Sequence, residues 1–179
     1  MNEFDSRVGS GDTPFHPESY PSSHIGSNFL FLTRIGDYGI IWILFAVFLI
    51  AKKEFRKTGF MVLAALMLGL IFGEILLKPL FGRIRPFEAY DLFPTILDKT
   101  RGFSFPSGHT TSSFAAASIL VYRSGKRAWI FLLLAVGIAL SRLYYLVHYP
   151  SDIVGGILLG IACAGIVISV VQKTQGEGP

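Results

Sequence analysis

The stretch "HYPSDIVGGILLGIACAGIVISVV" (His148–Val171) joins a polar edge to an apolar run, and its second part decides the fold. From Ile153 to Val171 there is no charged side chain. As a helix rising about 1.5 Å per residue this run comes close to the roughly 30 Å of a bilayer core. Open strands would leave their backbone groups unpaired in lipid, so the run is expected to be helical.

Working outward, similar apolar segments occupy Tyr38–Ala51, Gly59–Leu77, Phe105–Tyr122 and Ala128–Val147. A span needs about 20 residues, with a usable range of about 17 to 25. The first segment is short alone and reaches that length when extended back through Ile35, with Asp37 at the interface. The predicted fold is therefore all-α, an integral membrane helical bundle with about five transmembrane helices. A composition of 51% hydrophobic and 16% charged residues excludes an ordinary soluble domain.

Residues 1–27 form a polar arm rich in Ser, Pro, Gly and acids, where His16 and His24 read as solvated tail residues. No cleavable signal peptide is expected in it, so the apolar spans must insert the chain. The segment "NFLFLTRIGDYG" (Asn28–Gly39) suits a short interfacial helix. The transmembrane domain is placed at 28–173 and a tail at 174–179. The pairs Gly69/Gly73 and Gly156/Gly160, and the small residues Ala115–Ser118, predict close helix packing. Cys163, the single cysteine, lies in an apolar run and is read as a packing residue.

The net charge of +4 matters less than its distribution. Lys52, Lys53, Arg56 and Lys57 form one cluster, and Arg123, Lys126 and Arg127 another, each between two apolar runs. This is a pattern of membrane topology and gives no reason to expect a nucleic-acid partner. By the positive-inside rule both clusters, with Lys173, are cytoplasmic. The outer face then holds the N-terminal arm, the Lys78–Ser104 loop and the turn at His148.

Three segments bring polar residues to that outer face: "KPLFGRIRP" (Lys78–Pro86), "PSGH" (Pro106–His109) and "SRLYYLVHYPSD" (Ser141–Asp152). A charge at a helix centre in a bilayer costs about 2.5–3.5 kcal/mol, so a convergence of Lys78, Arg85, Arg142, His109, His148 and Asp152 needs a cause. Pro106 suits the first turn of a helix whose free amides at Ser107, Gly108 and His109 can cradle an anion. Pro150 can open the next helix, with His148 just before it and Asp152 in its first turn, so that the carboxylate folds back on the ring. One ring nitrogen would then be fixed and the other left as a nucleophile. Lys78, Arg85 and Arg142 can neutralise phosphoryl oxygens. No carboxylate cluster suits magnesium or calcium, so a metal-free site is expected. Glu74 either neutralises Lys78 or shapes the pocket. Arg83 is either a headgroup anchor or a substrate contact.

Lys78 with six residues before Arg85-Pro86, then Pro106-Ser107-Gly108-His109, then Ser141-Arg142 with five residues before His148 and three more before Asp152, resembles the three-part signature of the type 2 phosphatidic acid phosphatase superfamily. The resemblance implies a helical bundle acting on a membrane lipid without a cofactor. His148 would be the nucleophile forming a phosphohistidine, Asp152 would orient it, and His109 would protonate the leaving alkoxide and later help activate water. Lys78, Arg85, Ser107, Gly108 and Arg142 would bind phosphate. Many members have six membrane helices, and this chain is expected to have its polar arm, with an interfacial helix, in place of the first. The implied function is a lipid phosphatase of the bacterial inner membrane with its site facing outward. Undecaprenyl diphosphate is the first expected substrate; lipid A phosphate and phosphatidylglycerol phosphate or phosphatidate are alternatives. A lipid phosphotransferase or a lipid-binding membrane protein is the reading from another class. The aromatics of Phe87–Ser104 are expected to shape the entrance.

Overall fold

The computed structural model describes residues 24–90 and 102–176, all of whose regular elements are helical. His16, expected as a solvated tail residue, and Phe93, expected to help shape the entrance, lie outside these residues. Helix α1 (His24–Ile35) is followed by a 3₁₀ turn, Asp37–Gly39, and by α2 (Ile40–Ala51). Gly39, at φ +67°, supplies the left-handed residue that starts α2. The axes on either side of this turn meet at 58°. Next come α3 (Arg56–Gly69), a π-helical stretch Leu70–Leu77, and short helices α4 (Lys78–Phe81) and α5 (Pro86–Ala89). Gly82 stops α4 in the left-handed conformation, at φ +54°. Helices α6 (Gly108–Ser124), α7 (Trp129–Tyr144) and α8 (Pro150–Thr174) complete the described chain.

Helix α6 is the axis of the bundle. Its Ala115, Ala116, Ala117 and Ile119 are fully buried, and their small side chains let neighbouring helices approach. Both glycine pairs face it or its neighbour. A Cβ on Gly160 would lie 2.6 Å from the Thr111 carbonyl oxygen, and one on Gly156 would lie 2.8 Å from that of Ser107. On α3, a Cβ at Gly69 would meet Thr111, and the π stretch brings Gly73 against Leu159 of α8. Helix α2 is tied in by Trp42 Nε1, which donates to Ser113 Oγ at 3.0 Å in the core. Cys163 is buried, as its apolar setting predicts.

The polarity is inverted relative to a soluble protein. Thr110, Thr111, Ser113, Arg142 and Asp152 are buried, while Leu44, Phe48, Leu158 and Val170 are exposed. An apolar exterior around a polar interior is what a lipid solvent selects. By length and apolarity, two helices among the described residues can cross a bilayer alone, Arg56–Ala89 and Pro150–Thr174, or three if the bent pair before Ala51 is one span. The expected count of five therefore exceeds what these criteria support. Helix α7 has only 16 residues, and α6 carries hydroxyl and small residues turned toward the core, which lowers its apolarity.

The helix ends separate two chemistries. The α2–α3 turn, the α6–α7 turn and the end of α8 carry the basic clusters. At the opposite end lie α4, α5, the start of α6, the α7–α8 turn and the start of α8.

Candidate active site

The start of α6 forms one wall. Ser107 is the N-cap, fully buried, and its Oγ accepts from the Thr110 amide at 3.5 Å and from Thr110 Oγ1 at 3.0 Å. With its acceptor role filled, the Ser107 proton is free to donate. The sequence placed Pro106 in the first helical turn. Instead it precedes the cap, because Ser107 supplies the side-chain acceptor that begins the helix, and Gly108 and His109 become the first two helical residues. The Ser107 amide, expected to be free for an anion, instead donates to the Asp152 carbonyl at 3.1 Å, because the starts of α6 and α8 abut.

The second wall is the α7–α8 turn. Leu146 at φ +53° reverses the chain, and Val147 N–H returns to the Arg142 carbonyl at 3.3 Å. Pro150 opens α8 as predicted, after Tyr149 at the cap. Asp152 is fully buried. Its Oδ2 accepts from the Tyr149 amide at 2.9 Å and from His148 Nδ1 at 3.3 Å. A carboxylate only accepts, so Nδ1 carries the proton and the Nε2 lone pair is left available. Burial pushes the His148 pKa down to about 3, opposed by its hydrogen bond to Asp152 and reinforced by Arg85 and Arg142. Burial therefore holds the imidazole in its neutral form.

Cations supply the third wall. Lys78 Nζ pairs with Glu74 Oε2 at 2.7 Å, and Glu74 Oε1 lies against the α carbon face of Gly108. Glu74 sits in the π-helical stretch, whose extra residue per turn sets its direction. Arg85 is buried; it donates to the carbonyls of Gly102 (2.9 Å), Val147 (3.0 Å) and Phe103 (3.3 Å), and its Nη1 lies 3.4 Å from His148 Nε2. Arg142 is 1% exposed, and its Nε has no hydrogen-bond partner among the described residues. A buried charge without a counter-ion costs several kcal/mol, so Arg142, whose hydrogen bond goes to the neutral Thr33, is the cation here that an anion would offset.

Three further contacts at the site have no counterpart in the sequence reading. Arg83, expected as a headgroup anchor or a substrate contact, is tied to the site: its Nη1 donates to Asp152 Oδ1 at 2.8 Å and to Ser151 Oγ at 2.6 Å, and its guanidinium covers the Tyr149 ring at 3.9 Å. Thr33 of α1 is buried and accepts from Arg142 Nη1. Asp37 Oδ1 lies 2.9 Å from His109 Nε2. The one available signal was the cluster Gly36-Asp37-Tyr38-Gly39, a bend signature that marks where the chain turns back. All eight signature residues thus come to one end of the bundle. A separate groove of about 550 Å³, lined by Lys53, Arg56, Lys57, Phe60 and Val171 among others, opens at the other end.

The family model of the PAP2 superfamily matches residues 58–175. An undecaprenyl-diphosphatase of Sulfolobus acidocaldarius is 32% identical over 133 residues, 73% of this chain and 63% of that protein. A lipid A 4'-phosphatase of Porphyromonas gingivalis is 31% identical over 140 residues, 73% of this chain and 59% of that protein. The chain thus spans somewhat less than two thirds of the length of each of these relatives. The crystal structure of Aquifex aeolicus LpxE matches with a TM-score of 0.70 at 28% identity, covering 83% of this chain and 88% of that one.

Proposed function

The chain belongs to the PAP2 superfamily, and from that premise and the site geometry we propose that it is a membrane phosphatase that hydrolyses a lipid phosphate or diphosphate through a phosphohistidine. The observation that carries the reading is the pairing of a neutral, Asp152-oriented His148 with buried cations, among them an Arg142 whose Nε lacks a partner among the described residues. The phosphoryl group sits among Lys78, Arg85, Arg142, the Ser107 hydroxyl and the amides at Gly108. His148 Nε2 forms a bond to phosphorus as the bond to the leaving oxygen breaks, and His109 gives that oxygen a proton. Water then attacks phosphorus, the P–N bond breaks, and His109 takes the proton back.

The bundle is embedded with five rods, α6 and α7 included, in the inner membrane of a bacterium, and the site faces outward. The basic turns at the other end support this orientation. The preferred substrate is undecaprenyl diphosphate, in keeping with the named activity of the Sulfolobus relative. A lipid A phosphate is the second reading, supported by the Porphyromonas relative at nearly equal identity. Phosphate release by the purified protein in detergent, without added acceptor, from undecaprenyl diphosphate, lipid A and phosphatidylglycerol phosphate ranks these substrates. No release from any of them, or full turnover by His148→Ala, would overturn the proposal.

A further inference from the structure

We propose that Asp37 is a positioning residue that fixes the tautomer of His109, so that one ring atom, Nδ1, both delivers the proton to the leaving group and recovers it from water. This rests on the phosphatase reading above and adds to it a residue outside the family-matched region 58–175.

The geometry is built from both partners. His109 Nε2 lies 2.9 Å from Asp37 Oδ1. The carboxylate can only accept, so Nε2 keeps its proton in the neutral and the charged ring alike. Nδ1 is then the atom whose protonation changes. The turn is shaped to reach this edge of the ring. A Cβ on Gly36 would lie 3.0 Å from His109 Cδ2, the carbon bonded to Nε2, and 2.9 Å from Ile138 Cγ2. Gly36 and Asp37 therefore lie against the same ring edge, and an added Cβ at Gly36 would crowd both the ring and Ile138. At the other end of the turn, Gly39 at φ +67° brings its α carbon against Ser112, one turn along α6, whose Oγ donates back to the His109 carbonyl at 3.1 Å. The charged groups acting on the ring are Asp37 from the 3₁₀ turn, Arg142 from α7 and Lys78 from α4. Asp37 is the carboxylate among them.

The proton balance closes. In the first step Nδ1–H passes to the leaving oxygen while the P–O bond breaks and the P–N bond to His148 forms. The neutral ring keeps Nε2–H on Asp37, so the new lone pair is on Nδ1. That lone pair removes a proton from the water that attacks phosphorus as the P–N bond breaks.

The test uses Asp37→Ala, Asp37→Glu and the unaltered protein in detergent, with an alkyl lipid phosphate and with p-nitrophenyl phosphate. An aryl leaving group needs no proton, so Asp37→Ala should keep the rate of the initial nitrophenolate burst while later turnover slows. On the alkyl substrate kcat should fall about 100-fold. Inhibition by orthophosphate should be unchanged, and Asp37→Glu should regain part of the loss. Equal slowing of the aryl burst and the alkyl reaction, or weakened orthophosphate inhibition, would mean that Asp37 only holds the turn. His148→Ala should give no burst in either case, which tests the nucleophile separately. If the unaltered protein released no phosphate, the phosphatase reading would fail, and nitrogen NMR of ¹⁵N-histidine-labelled protein would still decide this inference. Neutral His109 should carry its proton on Nε2 and lose that preference in Asp37→Ala; a proton on Nδ1 in the unaltered protein would refute it.

Discussion

Arg83 holds one oxygen of Asp152 while His148 holds the other: Arg83 Nη1 to Oδ1 is 2.8 Å and His148 Nδ1 to Oδ2 is 3.3 Å. The carboxylate is thus fixed from both sides, with Arg83 itself braced on the Tyr149 ring. Arg83→Ala should leave Asp152 free to rotate away from the imidazole and lower kcat about 10- to 100-fold with little change in KM, since outer partners of a positioned group carry effects of that order. Arg83→Lys keeps the charge but neither the stacking nor the planar fork, and should recover only part of the rate. A rise in KM at unchanged kcat would instead make Arg83 a substrate contact.

The depressed pKa of His148 has a consequence for stability. Its ordinary value is 6.5 and its folded value about 3. Between these the unfolded chain binds a proton that the folded chain refuses, so stability falls as pH drops from about 6.5 toward 3 and is insensitive to this group above that window. The slope is at most about 1.4 kcal/mol per pH unit. His148→Gln should flatten this acid limb of Tm measured in detergent. An unchanged slope would show that the imidazole is not held neutral by burial.

Local signals in the sequence located most of the site, because helix ends obey short-range rules. Pro150 opens a helix within a few residues of the groups it positions, and Gly156 and Gly160 mark the helix that must come close, whereas the start of α6 was expected at Pro106 and lies beyond the Ser107 cap. The contacts that escaped are long-range. His109 and Asp37 are 72 residues apart, and Asp37 read locally is only an interfacial charge. Its role depends on the bend at Gly36–Gly39, which turns a short, apparently surface-lying segment onto α6. Arg83 likewise has two sensible surface roles until α8 is placed beside it. The π stretch at Leu70–Leu77 carries no composition of its own, since its residues would serve equally in an α-helix.

The α6–α8 contact predicts a sharp contrast between two glycines of α8. A Cβ on Gly160 would sit 2.6 Å from the Thr111 carbonyl oxygen and 2.9 Å from the Ala115 amide nitrogen, whereas one on Gly165 has nothing within 4 Å among the described residues. Backbone cannot yield as a flexible side chain does, so Gly160→Ala must separate the helices and should cost about 1–3 kcal/mol. Gly165→Ala should be neutral or slightly stabilising through helix propensity. Thermal unfolding of the two variants in detergent measures the difference, and similar midpoints would contradict the packing.

Gly108 and Glu74 should be coupled in function rather than in folding. A Cβ at Gly108 would strike Glu74 Oε1 and come within 3.9 Å of Lys78 Nζ. The obstacle is the end of a flexible side chain, so Gly108→Ala should leave Tm nearly unchanged while displacing Glu74 and the lysine paired with it at 2.7 Å. Its KM for the lipid phosphate should rise about 10-fold, equivalent to about 1.4 kcal/mol. Glu74→Ala removes the struck atoms, so adding Gly108→Ala to it should cost much less than in the native background. The double-mutant cycle on KM measures this coupling directly. Strict additivity would mean that Gly108 acts by admitting the phosphate alone, with no part played by the Glu74–Lys78 pair.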